Sequence, residues 1–470
     1  MTRTERPIRP PGTTPAARLV ALVTATALAG AGAPAHAQKD KGPPVVRDAE
    51  IEQLLREYTQ PILRTAGLAQ QNVQVVIIND RSFNAFVADG RRIFVNAGAL
   101  MESETPNQII GVLAHETGHI AGGHLARMRE AIASATTQSV IAMLLGAGAL
   151  IAAGRSGADL GQAGAAAIAG PTMAIQHTMI GYMRAQEEQA DRAGVKFLTA
   201  TGQSPKGMYD TFKRMADQVL YQVRYINPYL QTHPLPSERV AALEGLAKAS
   251  PYWDHKDSPA LQARHDLMRA KLYGFIERPD GVARRYPPSD TSLAARYARA
   301  ISAYRFSDPR VALAQIEALI QAQPQDPYFY ELKGQALLEA GTPAEAIAPL
   351  RHAVQLAPNP ALIQIMLAQA LVATRDRAHV DEAIPMLQAA VLREPDTPDA
   401  YGQLAMAYGQ KNDLARADLA SAQAAFMRGD LKTAREIASR AKARFPVGSP
   451  GWVKADDLAS LKLPPNALRR

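Results

Sequence analysis

The residues of this chain best able to do chemistry are His115-Glu116-Thr117-Gly118-His119. On a helix, positions four apart project from one face about one turn from each other, so both imidazoles can meet one tetrahedral Zn²⁺. Glu116 then sits beside the metal. Bound zinc lowers the pKa of water toward neutrality, and a carboxylate within reach can take its proton and later deliver it to a leaving amine. That is peptide hydrolysis without a covalent intermediate. The chain has no cysteine, which excludes disulfides, thiolate ligands and thiol catalysis, so further ligands must be nitrogen or oxygen donors.

Two residues compete for the third ligand position. His124 follows Gly122 with a spacing one residue away from the metzincin pattern, but Leu125 occupies the required place. Residues 125–133 read as a helix that swings His124 away from the metal, leaving it as a polar residue on a helix side. The other candidate is Glu187, in Arg184-Ala185-Gln186-Glu187-Glu188-Gln189-Ala190-Asp191. Glu187 and Asp191 are four apart on an expected helix and face one way, whereas Glu188 is offset and points elsewhere. One carboxylate can bind zinc while the next supports a ligand imidazole through its other nitrogen. A solvated charged face is the competing reading of the same run.

The elements that must position these residues follow from patterning. Asp48 caps an amphipathic helix carrying Ile51, Leu54, Leu55, Tyr58 and Ile62 on one side. Strand-like segments at 73–78, 83–88 and 92–95, with a turn at Asp89-Gly90, predict a small sheet. Asn84 to Ala88 suits either an edge strand that holds substrate extended or an ordinary core strand. Thr105-Pro106 opens the helix that carries the histidines. Residues 139–153 are almost wholly apolar and suit a buried helix or a membrane-touching hairpin. A further helix is expected over 173–200, followed by the loop His233-Pro234-Leu235-Pro236.

Composition narrows the setting. With 470 residues, 47% of them hydrophobic, the chain is too long for one ordinary domain. Arg3, Arg6, Arg9 and Arg18 precede or open an apolar run, Leu19 to Ala31, and Ala35-His36-Ala37 offers a signal peptidase site. Residues 1–37 therefore read as a cleaved signal peptide, giving a periplasmic or extracellular protein. The remainder has 48 basic against 43 acidic residues, scattered without basic runs. Nucleic acid is not an expected partner; peripheral contact with an anionic membrane surface is compatible with this balance.

The C-terminal part repeats. Pro324, Pro358, Pro395 and Pro446 each follow a helical run with alanine twelve residues earlier, at Ala312, Ala346, Ala383 and Ala434. Ile316, Leu350 and Leu387 fall eight residues before the first three prolines. The spacings are 34, 37 and 51 residues, so the last unit carries an insertion or an extra helix. Tyr330, Gly334, Leu337, Ala346, Leu350, Ala353 and Pro358 match the tetratricopeptide pattern, and such arrays present a concave surface to peptides or partner proteins.

The motif His115 to His119, the later Glu187-x-x-Ala190-Asp191, Asn84-Ala85-Phe86 and Thr232-His233-Pro234 together resemble the gluzincin peptidase family that includes the CAAX prenyl proteases and HtpX. The resemblance covers about residues 48–245, and the repeats after it are similar to the periplasmic, BepA-like branch. It implies Glu187 as the third zinc ligand, Asp191 as support for a zinc histidine, and one Zn²⁺ per chain. It also implies that His233 occupies the open position of the zinc as a latch; stabilising the oxyanion is the alternative role, and a plain turn histidine the bland one. The family often has serine before the arginine matched by Arg184, whereas Met183 stands here. The fold expected is α+β, mainly helical: a signal peptide over 1–37, a metallopeptidase domain with a small sheet over 38–257, and an all-α tetratricopeptide solenoid over 258–470. The function the resemblance implies is a periplasmic zinc endopeptidase acting on misfolded or stalled envelope proteins, with the barrel-assembly machinery of the outer membrane as a partner. The competing expectation is a chaperone or assembly scaffold whose zinc is structural or latent.

Overall fold

The computed structural model describes residues 44–130, 183–221, 229, 233–234 and 237–462. The expected signal peptide, the apolar stretch 139–153 and residues 173–182 of the expected helix lie outside the described residues. Among the described residues no helix is long and apolar enough to cross a membrane.

The described residues of the chain are mainly helical, with one small sheet. Strands β1 (Val45–Val46), β2 (Gln74–Ile78), β3 (Ala85–Val87) and β4 (Arg92–Asn96) are ordered β1-β2-β4-β3, which makes β3 an edge strand among the described residues. β2 and β4 run parallel with Val75 opposite Ile93, while β3 pairs antiparallel to β4 with Phe86 opposite Phe94. Gly90, at φ +76°, takes the left-handed conformation that the β3–β4 turn requires. Asp89 closes that turn by accepting from the backbone N–H groups of Arg91 and Arg92.

Helix α1 (Ala49–Thr65) starts at Asp48, whose carboxylate accepts from the Ile51 N–H at 2.9 Å. Its stripe of Ile51, Leu54, Leu55, Tyr58 and Ile62 packs into one core with Ile77, Ile93 and Val95 of the sheet. After α2 (Ala97–Glu102) comes α3 (Pro106–Ala121), with Pro106 in its first turn. Every residue of α3 from Ile109 to Gly118 is buried, so this helix runs through the core instead of lying on it. Two glycines let its neighbours approach. A Cβ at Gly111 would lie 2.6 Å from Met208 Cβ, and one at Gly118 would lie 2.8 Å from the Ala190 carbonyl oxygen.

The neighbours in question are α5 (183–200) and α6 (Lys206–Tyr221); a short α4 (124–130) precedes them and α7 (Ser237–Lys248) follows. Because the contact at Gly118 is with backbone, which cannot rotate away, Gly118→Ala is expected to destabilise the protein by about 1–3 kcal/mol. A thermal melt unchanged from wild type would show that α3 and α5 are not in close backbone contact.

Helix α8 (Pro259–Ile276) belongs to two apolar clusters at once. Met268 and Leu272 join the core of the sheet and α3, whereas Leu267 and Ala270 pack with Val282, Tyr297 and Ile301. Beyond it run α9 (Pro279–Arg285), α10 (Leu293–Phe306), α11 (Pro309–Ala322), α12 (Pro327–Glu339), α13 (Pro343–Leu356), α14 (Ala361–Ala373) and α15 (Arg377–Arg393). The array ends with α16 (Pro398–Gln410), α17 (Leu414–Met427), α18 (Leu431–Arg444) and α19 (Pro450–Ala459). Asp-Pro steps start α11 and α12: Asp308 and Asp326 accept from backbone N–H groups two residues on, and the proline fills the first helical position.

The repeat alanines Ala312, Ala346, Ala383 and Ala434 are fully buried, as are Ile316, Leu350 and Leu387. Small residues at fixed positions let consecutive helices nest. Two helices separate Pro324 from Pro358 and Pro358 from Pro395, but three separate Pro395 from Pro446, so the long spacing is one extra helix.

The start of the peptidase part is tied into the repeats. Ala49 packs with Ala353 and Ile363, and Arg47 pairs with Glu394 at 3.1 Å. Between α1, β2 and the repeats lies a groove of about 1140 Å³, with Leu63, Val75, Gln335, Ile365, Met366 and Asp396 in its walls.

Candidate metal centre

Three segments distant in sequence meet at one point. Helix α3 brings His115, Glu116 and His119, α5 brings Glu187 and Asp191, and the segment before α7 brings His233. Gly118 against Ala190 sets the spacing of α3 and α5, and a Cβ at Gly194 would lie 3.2 Å from the His115 backbone nitrogen. The Nε2 atoms of His115 and His119 are 3.0 Å apart. Glu187 lies 3.4 Å from each of them, through Oε2 and Oε1 respectively. His233 Nδ1 is 3.0 Å from Glu187 Oε2 and 3.4 Å from His115 Nε2. One donor atom from each of the four residues falls within 4.8 Å of all the others.

This arrangement fits a cation. Two ring nitrogens facing each other at 3.0 Å can share at most one proton, whereas a positive ion satisfies both lone pairs and the carboxylate together. Three nitrogens and a carboxylate are a donor set suited to zinc. Glu116 is fully buried, and among the described residues neither of its carboxylate oxygens has a hydrogen-bond partner. A buried carboxylate without a partner is costly, so this one is arranged for something that enters the site. His233 Nε2 lies 3.6 Å from Glu116 Oε1.

Residues 47–247 match peptidase family M48, and residues 297–360 match the tetratricopeptide repeat. The chain carries an M48 peptidase domain. Among curated relatives it is similar to the beta-barrel assembly-enhancing protease of Yersinia pestis, at 26% identity over 86% of this chain and 82% of the relative. The protein of that name from Escherichia coli strain K12 is 25% identical over the same shares. The mitochondrial metalloendopeptidase OMA1 of Schizosaccharomyces pombe is 26% identical over 39% of this chain and 49% of its own length. The protein is thus a metallopeptidase followed by helical repeats, the mainly helical fold with a small sheet that the sequence predicts.

The M48 domain holds its donor residues from behind. His115 Nδ1 faces Asp191 Oδ1 at 2.9 Å. Asp191 in turn accepts from Arg239 Nε at 2.7 Å and Nη2 at 2.8 Å. Arg239, on α7, also lies 2.9 Å from Glu187 through Nη1 and donates from the same atom to the Pro234 carbonyl at 2.8 Å. One buried guanidinium therefore joins Asp191, Glu187 and the loop of His233.

Electrostatics follow from this crowding. Burial alone would raise Glu187, but the charges and hydrogen bonds of His233 and His115 hold it far below the usual carboxylate range. Burial would likewise lower His115, yet the carboxylates of Asp191 and Glu187 lift it to about 9. Burial and the neighbouring His115 push His119 well below its ordinary value. For Glu116, burial dominates and raises the pKa against the opposing charges of His233 and His115, as suits a proton acceptor working near neutrality.

Of the residues singled out in the sequence, His115, His119, Glu187 and His233 converge, Glu116 lies beside them and Asp191 behind His115. Glu188 is exposed, as its offset predicts. Arg184 is exposed too, and the arginine that touches the site is Arg239, which sequence reasoning missed. Its only signal is a place on the helix after the His-Pro loop. Tyr229, which stacks on the His233 ring at 4.5 Å, and Phe212, edge-on to His115 at 5.2 Å, were equally invisible. His124 stays outside the donor cluster and starts α4, but its ring is not swung away from the end of α3. It is only 3% exposed and lies against His119.

Proposed function

We propose that the protein is a periplasmic zinc endopeptidase, exported by a cleaved signal peptide spanning residues 1–37. It hydrolyses misfolded or stalled envelope proteins and so assists outer-membrane protein assembly. The observation that carries the catalytic half is the meeting of His115, His119 and Glu187 beside the fully buried carboxylate of Glu116, which has no hydrogen-bond partner among the described residues. The biological half rests on likeness to relatives named for enhancing beta-barrel assembly. The peptidase part is assigned to residues 38–257 and the repeats to 258–470.

In this reading His115, His119 and Glu187 hold one Zn²⁺ per chain, and Asp191 orients the His115 ring through Nδ1. Zinc supplies Lewis acidity that acidifies water and polarises a peptide carbonyl. Glu116 accepts a proton from the attacking water and passes it to the leaving amine. The edge strand β3, packed against α3, offers backbone groups to hold the substrate extended across the site. The repeats recruit client proteins or the barrel-assembly machinery, and the groove of about 1140 Å³ between α1, β2 and the repeats offers space for a segment of such a partner. The test is zinc content together with casein cleavage by the mature protein, with and without chelator. One zinc per chain and cleavage abolished by chelation are expected; chelator-resistant cleavage would remove zinc from the reaction.

His233 favours a latent resting form, because its Nδ1 sits among the donor atoms as a fourth ligand would. His233→Ala is therefore expected to raise the cleavage rate severalfold. An unchanged rate refutes the latch, and a large loss assigns His233 to the oxyanion instead. The same closed arrangement lends weight to a second reading, a chaperone or scaffold with a latent zinc. If Glu116→Gln supports full envelope assembly in cells, the scaffold reading prevails.

A further inference from the structure

We infer that His124 is a positioning residue for His119, holding that ring in the tautomer that directs Nε2 to the metal. The inference rests on the zinc reading above and concerns how the second histidine of the motif is kept in place. His124 Nδ1 lies 2.9 Å from His119 Nδ1, with the two rings nearly perpendicular at 84°. When His119 turns the lone pair of Nε2 inward, its proton must sit on Nδ1. The only chemistry that makes a 2.9 Å contact favourable is then donation from His119 Nδ1–H to an unprotonated His124 Nδ1. His124 is thereby fixed as the tautomer protonated at Nε2.

The chain between the two rings is built for this contact. A Cβ at Gly122 would fall 2.3 Å from His124 Nε2 and 2.6 Å from its Cδ2, so a side chain there would displace the ring. Gly123, at φ +63°, makes the left-handed turn that starts α4 and folds His124 back onto the end of α3. The contact is also selective in its burial. His124 is buried, while none of residues 125–130 on the same helix is. The two zinc histidines are thus backed differently: His115 by the carboxylate of Asp191, His119 by a neutral imidazole.

Zinc affinity of the whole chain, measured by competition with a chromophoric chelator, tests this without reference to activity. His124→Ala and the bulk-preserving His124→Phe are each expected to weaken zinc binding by about 10–100-fold. His124→Asn, whose side-chain oxygen can accept the same proton, is expected to restore affinity to within about threefold of wild type. Wild-type affinity in both the Ala and Phe variants overturns the inference. So does an Asn variant that melts like wild type without metal yet binds as weakly as the Ala variant. Failure of the unmodified chain to bind zinc at all would instead remove the zinc reading on which the inference stands.

Discussion

Glu116→Gln is expected to slow peptide hydrolysis by about 10²–10⁴-fold while zinc binding is unchanged. The substitution keeps shape and volume but removes the ability to accept a proton. Glu116 is not one of the converging donors, and its Oε1 lies 3.6 Å from His233 Nε2. Loss of the carboxylate should therefore leave the set of His115, His119 and Glu187 intact. Burial, which lifts the Glu116 pKa, brings the carboxylate closer to the basicity a proton shuttle needs near neutral pH. Purified Glu116→Gln protein that still cleaves casein at more than a tenth of the wild-type rate would show that another group takes the proton. Loss of zinc together with activity would show that Glu116 has a ligand role that the geometry does not assign to it.

The second large effect is expected far from the metal. Lys271 on α8 is 3% exposed, and its ammonium lies 2.8 Å from Asp48, 3.1 Å from Glu50 and 3.8 Å from Glu331. These carboxylates belong to the start of α1 and to α12, so one cation ties the peptidase part to the repeats. Above about pH 8, where Glu50 and Glu331 are ionised, Lys271→Met should destabilise the protein by about 3–5 kcal/mol, because it leaves carboxylates buried without their counter-ion. A melt within about a degree of wild type would mean the carboxylates do not depend on it.

The same cluster has a pH signature. Burial raises Glu50 to about 7 from an ordinary 4.5, and burial raises Glu331 as well. A carboxyl that holds its proton in the folded state and loses it when unfolded stabilises the fold fully below pH 4.5. That contribution declines as pH rises from 4.5 and is gone once pH passes the folded value near 7. Glu50→Gln, which cannot ionise, should lose this slope while keeping the Tyr297 hydroxyl close to its side-chain oxygen. Thermal unfolding of both proteins between pH 5 and 8 measures the difference; identical slopes would show that Glu50 is ionised throughout.

Much of this architecture was written in local pattern. The stripe of α1, the Asp89-Gly90 turn and the Pro106 start of α3 depend on neighbours within a few residues, and each formed where its residues direct. The repeats were legible because a stacked array imposes the same small alanine at the same place in each unit. The odd spacing of 51 residues was legible as an irregularity, but only the structure resolved it into one additional helix. His115 and His119 were readable for a similar reason, since helix geometry alone puts them on one face.

Long-range placement was a different matter. Helical spacing put Glu187 and Asp191 on one face, but nothing local could say that this face meets α3, because the approach depends on Gly118 receiving the Ala190 backbone. Arg239 gives no local signal beyond its place on the helix after the His-Pro loop: its importance lies in reaching Asp191, Glu187 and the Pro234 carbonyl together. For His124, sequence spacing argued against a place among the donor atoms, and the residue lies outside their cluster, but spacing could not show that a pair of glycines folds its ring back onto His119. The sequence by itself determined which side chains could bind a metal and move a proton, since that is a matter of residue type and helical period. Only the tertiary structure decided which of them share one buried volume and which charges neutralise them there, because those distances are set by backbones packing across large separations in the chain.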